Sequence, residues 1–363
     1  MPKEYKPLLD DSEIIMYNKG RFPLQLDIPS SSTLTKEEII TILEISSWGE
    51  KPIYPCQIKN SSVLIPRRNS ITKSGVELEA LEITGIGYTN NQGPRAEFIP
   101  PDKSNSLEET SEKEGAIMVA KRDRFDYKKP SYGPKGTYTP KELKKIIDKT
   151  TLADTLKLTE LVVPHIEAYG RYSDLDNKKG YSGFIVIPHP SIDSKDANKD
   201  AQKWIRKNYS PMYPKLTKLM KGLRELHEKG YAHLDPWLYN AHFVDGKFYL
   251  KKWENIVKLN DILVANWRNR AMDVMWPTDN CIILFMETFF PIPNVMCSDR
   301  FQLAKQDLMK KVISFSLEDY LGNGKVNLGG LFIIDNDEKK IRALAEIIGP
   351  DISAELMKTK FHI

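Results

Sequence analysis

The chain is poor in cysteine. Its 363 residues hold three, Cys56, Cys281 and Cys297, with no Cys-x-x-Cys pair. An odd, scattered set argues against a disulfide framework and against a cysteine-rich zinc site. Long hydrophobic runs are also missing. The longest, Cys281-Ile-Ile-Leu-Phe-Met286, is stopped by Glu287 and reads as a buried helix. It falls well short of the roughly 18 apolar residues a membrane span needs. Nor does one sign of charge dominate: 53 Lys and Arg stand against 49 Asp and Glu, a formal net charge of +4. So mild a balance does not point to nucleic acid as a partner. The start, Met1-Pro-Lys-Glu-Tyr-Lys6, lacks the apolar centre of a secretory signal. The expected compartment is therefore the cytoplasm, of the producing cell or of a host cell.

What is present is ordinary globular material, 40% hydrophobic and 28% charged. The length suits two domains or one two-lobed domain. Residues 1–75 read as an N-terminal extension of unassigned role. Within it, Ser30-Ser-Ser-Thr-Leu-Thr35-Lys-Glu-Glu-Ile-Ile40 has the hydroxyls and early acids of a helix start, and that helix should end before Gly49. Ile53–Ile58 and Ser62–Ile65 read as short strands, and Pro66–Gly75 as a polar loop. From Val76 the pattern is strand-like, through Leu78, Ala80 and Ile83 to Gly85-Ile-Gly87. Arg95–Ile99 and Ala116–Ala120 are further strands, the second ending at Lys121. The acidic, Ser-rich stretch from Pro100 to Glu114 reads as an exposed loop.

Thr139-Pro140 opens a helix with Leu143, Ile146 and Ile147 at helical spacing, continuing over about Leu152–Leu161. Gly183–Ile187 is an apolar strand stopped by Pro188 and Pro190. Leu216, Leu219, Met220, Leu223 and Leu226 share one helical face. Phe243–Leu250 around Asp245-Gly246 reads as a tight hairpin. Helices are expected near 279–290, 301–318 and 338–348. No internal repeat is present. The basic stretch Lys203, Arg206, Lys207, Tyr209, Lys215, Lys218 and Lys221 reads as a solvated face. Strands come first and helices later, so the expectation is an α+β fold with two lobes, divided near residue 190.

One segment carries chemistry. Leu226-His-Glu-Lys-Gly230 ends a helix, and the loop after it presents His233-Leu-Asp235 and, five residues on, Asn240. A carboxylate there can take the proton of an attacking hydroxyl, and an Asn carbonyl can hold magnesium on nucleotide phosphates. This spacing resembles the protein kinase superfamily, whose catalytic loop reads His-Arg-Asp, four residues, then Asn. The resemblance covers roughly residues 76–350 by order and spacing. It implies a bilobal protein-kinase-like fold, with a small antiparallel-sheet N-lobe over 76–190 and a mainly helical C-lobe over 191–363. It implies ATP and Mg2+ as cofactors. Asp235 would be the catalytic acid–base residue, and Lys121 would reach the phosphates with Asp154 or Glu160 as its partner. Gly85 and Gly87 would sit in the phosphate loop, and His189 would offer backbone to adenine. Asp279, opening the helix Thr278–Glu287, would brace the catalytic loop.

Three departures accompany it. The third glycine of the phosphate loop is displaced to Gly93. Leu234 replaces the Arg that receives a phosphorylated activation loop, which argues against that mode of control. The family's Asp-Phe-Gly position reads Lys252-Trp253-Glu254, with Lys252 where the magnesium-holding Asp belongs. Lys252 would then face phosphate, and Asn240 with Glu254 would be left as metal ligands; Asp261 is a further candidate. The resemblance thus implies an ATP-dependent phosphotransferase acting on a protein Ser/Thr hydroxyl, a pseudokinase that binds or scaffolds a protein partner, or a small-molecule kinase, with the protein-kinase-like helix Thr278–Glu287 counting against the last.

Overall fold

The computed structural model describes residues 8–9, 11–17, 24–46, 57–59, 62–86, 138–172, 182–259, 263–289 and 299–321. In chain order these form β1 (Ser12–Tyr17), β2 (Leu24–Pro29), α1 (Lys36–Ser46), β3 (Gln57–Lys59), β4 (Ser62–Lys73), β5 (Val76–Thr84) and α2 (Pro140–Thr155). Next come β6 (Leu161–Val162), β7 (Ala168–Tyr172), β8 (Ser182–His189), α3 (Ala197–Asn208), α4 (Leu216–Glu228) and β9 (Tyr231–Ala232). The rest are β10 (Ala241–Val244), β11 (Lys247–Leu250), β12 (Val257–Lys258), α5 (Leu263–Phe289) and α6 (Asp299–Leu321). The fold is α+β, and the chain divides into two units.

The first unit is a seven-stranded sheet in the order β1-β2-β7-β8-β5-β4-β3, with α1 and most of α2. The pairings β1/β2, β2/β7, β7/β8, β8/β5 and β3/β4 are antiparallel. Both helices start on a Thr-x-x-Glu box. Thr35 N–H donates to Glu38 Oε2 at 2.9 Å while Glu38 N–H donates back to Thr35 Oγ1 at 3.2 Å. Thr139 and Glu142 repeat the exchange at 2.9 and 3.3 Å. Each box satisfies helix-start donors that would otherwise be left over. Apolar residues of α1 (Ile42, Leu43, Ile45) pack with Leu81, Ile83, Phe184 and Val186 of the sheet. Those of α2 (Leu143, Ile146, Ile147) pack with Tyr169, Ile185 and Ile187. β8 is covered on both faces, which is why Phe184-Ile-Val-Ile187 is continuously apolar rather than alternating.

Several sequence expectations change here. The segment 1–75 supplies β1 to β4 and α1 to the same sheet as β5, β7 and β8, so the division drawn at residue 75 falls in the tight β4–β5 turn at Ser74-Gly75. The polar stretch after Pro66 is strand as far as Lys73, not loop. Its polarity misleads because Arg67 is buried on an ion-pair network while its neighbours face water. β8 runs through Pro188 to His189 rather than stopping before it. α2 ends at Thr155, and Leu161–Val162 is a strand beside β11, not helix. The expectations over 95–99, 100–114, 116–121 and 338–348 lie outside the described residues.

Arg67 is the polar centre of this unit. Its guanidinium meets Glu38 at 3.1 Å and Glu167 at 2.8 Å, with all three side chains almost wholly buried. Glu167 also accepts from Thr33 N–H and Thr33 Oγ1, both at 2.6 Å, and lies 3.0 Å from His165 Nε2. Burial alone would raise the Glu167 pKa, but His165 and the Thr33 donors outweigh it and hold the carboxyl down to about 2. The native value lies below the ordinary 4.5, so the stabilisation is complete above that pH and is lost as pH falls towards 2. Urea titrations should show wild type losing about 3 kcal/mol more than Glu167→Gln between pH 5 and pH 2. Equal pH slopes in the two proteins would remove Glu167 from the account.

The second unit holds the small sheets β10-β11-β6 and β12-β9 with α3 to α6. The hairpin turn Asp245-Gly246 has φ of 49° and 81°, the left-handed pair that a two-residue turn with matching strand twist requires. The apolar face of α4 is buried as its spacing predicts, against Ala271, Val274, Met275 and Ile282 of α5 and Val312, Ile313 and Leu317 of α6. Each such side chain contributes roughly 1.5–3 kcal/mol. That outweighs the cost of about 1 kcal/mol for Gly222 within α4. A Cβ at Gly222 would stand 2.5 Å from the Leu161 side chain, so glycine there lets β6 approach the helix. α5 is one helix of 27 residues with Pro277 inside it, so it begins well before the expected start at Thr278. No described helix is long and apolar enough to cross a membrane.

Candidate functional site

The loop carrying Asp235 is fastened at both ends before it reaches that residue. α4 closes at Gly230, whose φ of 81° reverses the chain into β9. β9 pairs with β12 through Ala232 and Val257, and Leu259 N–H donates to Gly230 O at 2.8 Å. The segment after the β10–β11 hairpin is thereby drawn against the start of the loop.

Asp273, on α5 and wholly buried, anchors the two residues before Asp235. Its Oδ2 accepts His233 N–H and its Oδ1 accepts Leu234 N–H, each at 2.6 Å. The same Oδ2 lies 2.9 Å from His227 Nε2, and His227 Nδ1 lies 2.6 Å from the Tyr320 hydroxyl of α6. A carboxylate only accepts, so His227 carries its proton on Nε2, and Nδ1 accepts from Tyr320. Burial lowers the His227 pKa, which keeps the ring neutral in that tautomer. Leu234 is held at φ 62°, an unfavourable conformation for a side chain with a Cβ. The bond from its N–H to Asp273 helps to hold it there. Pro277 lies one helical turn after Asp273 and has no N–H to offer the Asp273 carbonyl.

His233 is buried and bridges the two sides of the site. Its Nδ1 accepts Asp235 N–H at 3.1 Å, so Nε2 carries the proton and donates to Lys251 O at 2.8 Å. Its ring meets Trp253 edge-on at 4.7 Å. Burial lowers its pKa, so it too stays neutral.

Asp235 itself is half-buried. Asn240 Nδ2 donates to Asp235 Oδ1 at 3.0 Å and to the Asp235 carbonyl at 3.3 Å. Asn255 Nδ2 donates to Oδ2 at 3.1 Å. Burial pushes the carboxyl pKa up to about 6; Lys252 and the two amides pull it down, while Glu254 adds to the rise. Lys252 stands at φ 65° with its ammonium 3.5 Å from Glu254 Oε1. Both Asn240 partners are acceptors, so its amide nitrogen faces Asp235 and its Oδ1 is the atom left to meet a cation. Chemically this is a base poised near neutrality, beside one ammonium and a second carboxylate.

No protein-family model matches the chain, and no curated protein matches its sequence. The site therefore rests on its own geometry. Of the residues singled out in the sequence, Asp235, Asn240, Lys252 and Glu254 lie together. Gly85 and His189 belong to the first unit. A Cβ at Gly85, where φ is 87°, would come within 2.5 Å of the Tyr138 ring, so the local packing itself requires glycine there. His189 ends β8 opposite Ala80, and its Nδ1 lies 2.9 Å from Ser191 O. Asp154 is ion-paired with Lys73. The main-chain N–H of its rival Glu160 donates to Glu225 at 3.1 Å. Lys121 and Gly87 lie outside the described residues, as does Asp261. β5, the strand that pairs with β8, contains no lysine.

The sequence reading missed two groups. Asn255 comes directly after Lys252-Trp253-Glu254 and would have been found by asking what else that short turn presents. Asp273 takes the bracing role assigned to Asp279. Placing the helix start at Thr278 left Asp273 out of consideration. Among the described residues no three His, Cys, Asp or Glu side chains gather as a metal site. Neither of two surface cavities is lined by Asp235. One of about 510 Å³ is lined by Leu8, Pro140 and lysines of α2, and one of about 280 Å³ by residues including Lys73, Asp154, Lys157 and Lys247.

Proposed function

We propose that the protein is an ATP-dependent phosphotransferase with a bilobal kinase-like fold, in which Asp235 is the catalytic base. The observation that carries this is the state of Asp235. It is a half-buried carboxyl with a pKa near 6, oriented by Asn240 and Asn255, on a loop pinned to the buried Asp273. A base with a pKa near the working pH best combines the ionised form with a useful proton affinity. The acceptor hydroxyl oxygen bonds to the γ-phosphorus, the bridging P–O bond to the β-phosphate breaks, and ADP leaves. The hydroxyl proton passes to an Asp235 oxygen and then to water. The oxygen donors that fit Mg2+ are Asn240 Oδ1 and the Glu254 carboxylate, and the ion would neutralise phosphate charge. Lys252 supplies a further positive charge as a point ammonium.

A second reading, a nucleotide-binding or scaffolding pseudokinase, is favoured by the Lys252–Glu254 pair, which occupies one of those donors. Incubation with γ-labelled ATP, with and without Mg2+, separates the two. Turnover lost in Asp235→Ala supports the enzyme, whereas nucleotide-induced thermal stabilisation without turnover supports the binding module.

The pH profile gives a sharper test. Phosphotransfer should rise through an apparent pKa near 6 as Asp235 ionises. Lys252 lowers that value and Glu254 raises it, so Lys252→Ala should move the limb to higher pH and Glu254→Gln to lower pH. The stability of the fold should run the opposite way to activity. A native pKa above the ordinary 3.8 means that the stabilisation from proton binding is present at low pH and is lost as pH rises through 6. A limb that ignores both substitutions would detach it from Asp235.

A further inference from the structure

From Asp235 to Asn240 the loop alternates. Pro236, Leu238 and Asn240 are buried, while Asp235 and Trp237 are half-buried and Tyr239 is exposed. Leu238 is fixed from below, its N–H donating to Asn280 Oδ1 at 3.0 Å. The less buried residues are two aromatic rings beside a carboxylate, and the rings are ordered. Tyr239 stacks on Trp237 with centroids 5.7 Å apart and planes 13° apart. Trp237 stacks on Trp276 of α5 at 5.7 Å and 15°. The outer ring, Tyr239, is 53% exposed. Neither the Trp237 indole N–H nor the Tyr239 hydroxyl has a hydrogen-bond partner among the described residues. The plane of this exposed ring is set by the two rings beneath it.

The chain also curls at this point. Asn240, the next residue, reaches back to Asp235 Oδ1 at 3.0 Å. Burial raises the pKa of the Tyr239 hydroxyl and the Asp235 charge raises it further, as expected of a phenol near a carboxylate.

We propose that Trp237 and Tyr239 form the acceptor subsite, and that the acceptor is an unphosphorylated nucleoside: its flat base stacks on Tyr239 and a sugar hydroxyl reaches Asp235. This rests on the phosphotransferase reading and names its substrate class. Three features select it over the Ser/Thr side chain that the kinase resemblance implies. A rigid flat ring matches a flat π-face, whereas a Ser or Thr side chain has none. The unpartnered Tyr239 hydroxyl, at the rim of that face, can hydrogen-bond the polar edge of a base stacked with an offset. Asp235 and Glu254 set two carboxylates against the Lys252 ammonium, and the ATP phosphates already call on that ammonium, so the balance suits an acceptor that brings no phosphate of its own.

The test measures binding apart from turnover. Inosine and uridine are titrated against the full chain with ADP saturating any nucleotide site, and indole fluorescence or saturation-transfer NMR is read. Both nucleosides should bind wild type and Tyr239→Phe. Tyr239→Ala should weaken binding about five- to a hundredfold, the usual worth of one base–aromatic stack. Tyr239 lies at the surface, and thermal melting verifies that the variant is folded. Unchanged affinity in folded Tyr239→Ala, or no binding of either nucleoside to wild type, overturns the proposal. Phosphorylation of a Ser/Thr peptide with the same KM in wild type and Tyr239→Ala overturns it too, while leaving the phosphotransferase reading intact. Nucleoside binding that depends on Tyr239, in a protein with no turnover, upholds the subsite and refutes that reading instead.

Discussion

Asp235→Ala should lower phosphotransfer by about 10²–10⁴-fold, the usual contribution of a positioned general base. Asp235→Asn should do the same, because an amide cannot take the proton. Neither change should unfold the protein. Asp235 is half-buried, and its raised pKa means that the ionised form is held at some cost to the native state. At pH 7.5 the Asn variant should therefore melt no lower than wild type. Loss of activity with undiminished stability is the pattern expected where a site is built for chemistry rather than for packing. Initial rates at saturating ATP, with melting curves on the same samples, measure both. A folded variant that retains its rate would remove Asp235 from the mechanism.

Asp273→Ala should fail in the other way. Its carboxylate is wholly buried and takes hydrogen bonds from His233 N–H, Leu234 N–H and His227 Nε2–H. Removing it strands all three donors in the core and frees Leu234 from its clamp. Uncompensated buried polar groups of this kind cost about 3–5 kcal/mol in total. Urea denaturation should show that loss, and activity should fall because the loop no longer holds Asp235 in place. Asp273→Asn keeps one acceptor oxygen and should lose less. Asp279→Ala, six residues further along α5 and only partly buried, should cost less again. If Asp279→Ala proved the more damaging of the two alanine variants, the bracing role would revert to the residue the sequence pointed to.

Much of the architecture could be read without coordinates because it is local. The Thr-x-x-Glu boxes at Thr35 and Thr139 close through contacts three residues apart. The α4 stripe is a matter of helical periodicity. The Asp245-Gly246 turn needs only two residues that tolerate positive φ. The juxtaposition of Asp235 and Asn240 is local as well: five residues and one short 3-10 turn bring the amide to the carboxylate.

The rest depended on groups distant in sequence. Arg67 looked like loop material because charge normally marks a surface; only the fold brings Glu38 and Glu167 to it and makes its burial tolerable. Lys73 claims Asp154 through an approach across the chain that no spacing announces. Residues 1–75 looked separate, yet β2 pairs with β7 more than a hundred positions later. Asp273 outranks Asp279 because α5 is set against the His233 loop at that turn of the helix. Local sequence was enough for the α4 stripe, the hairpin turn and the meeting of Asp235 with Asn240, since dihedral preference and side-chain period act over a few residues. Which buried charges meet was settled only when the chain folded on itself. That selection arises from desolvation, which makes an isolated buried charge too costly and leaves only arrangements in which distant partners converge.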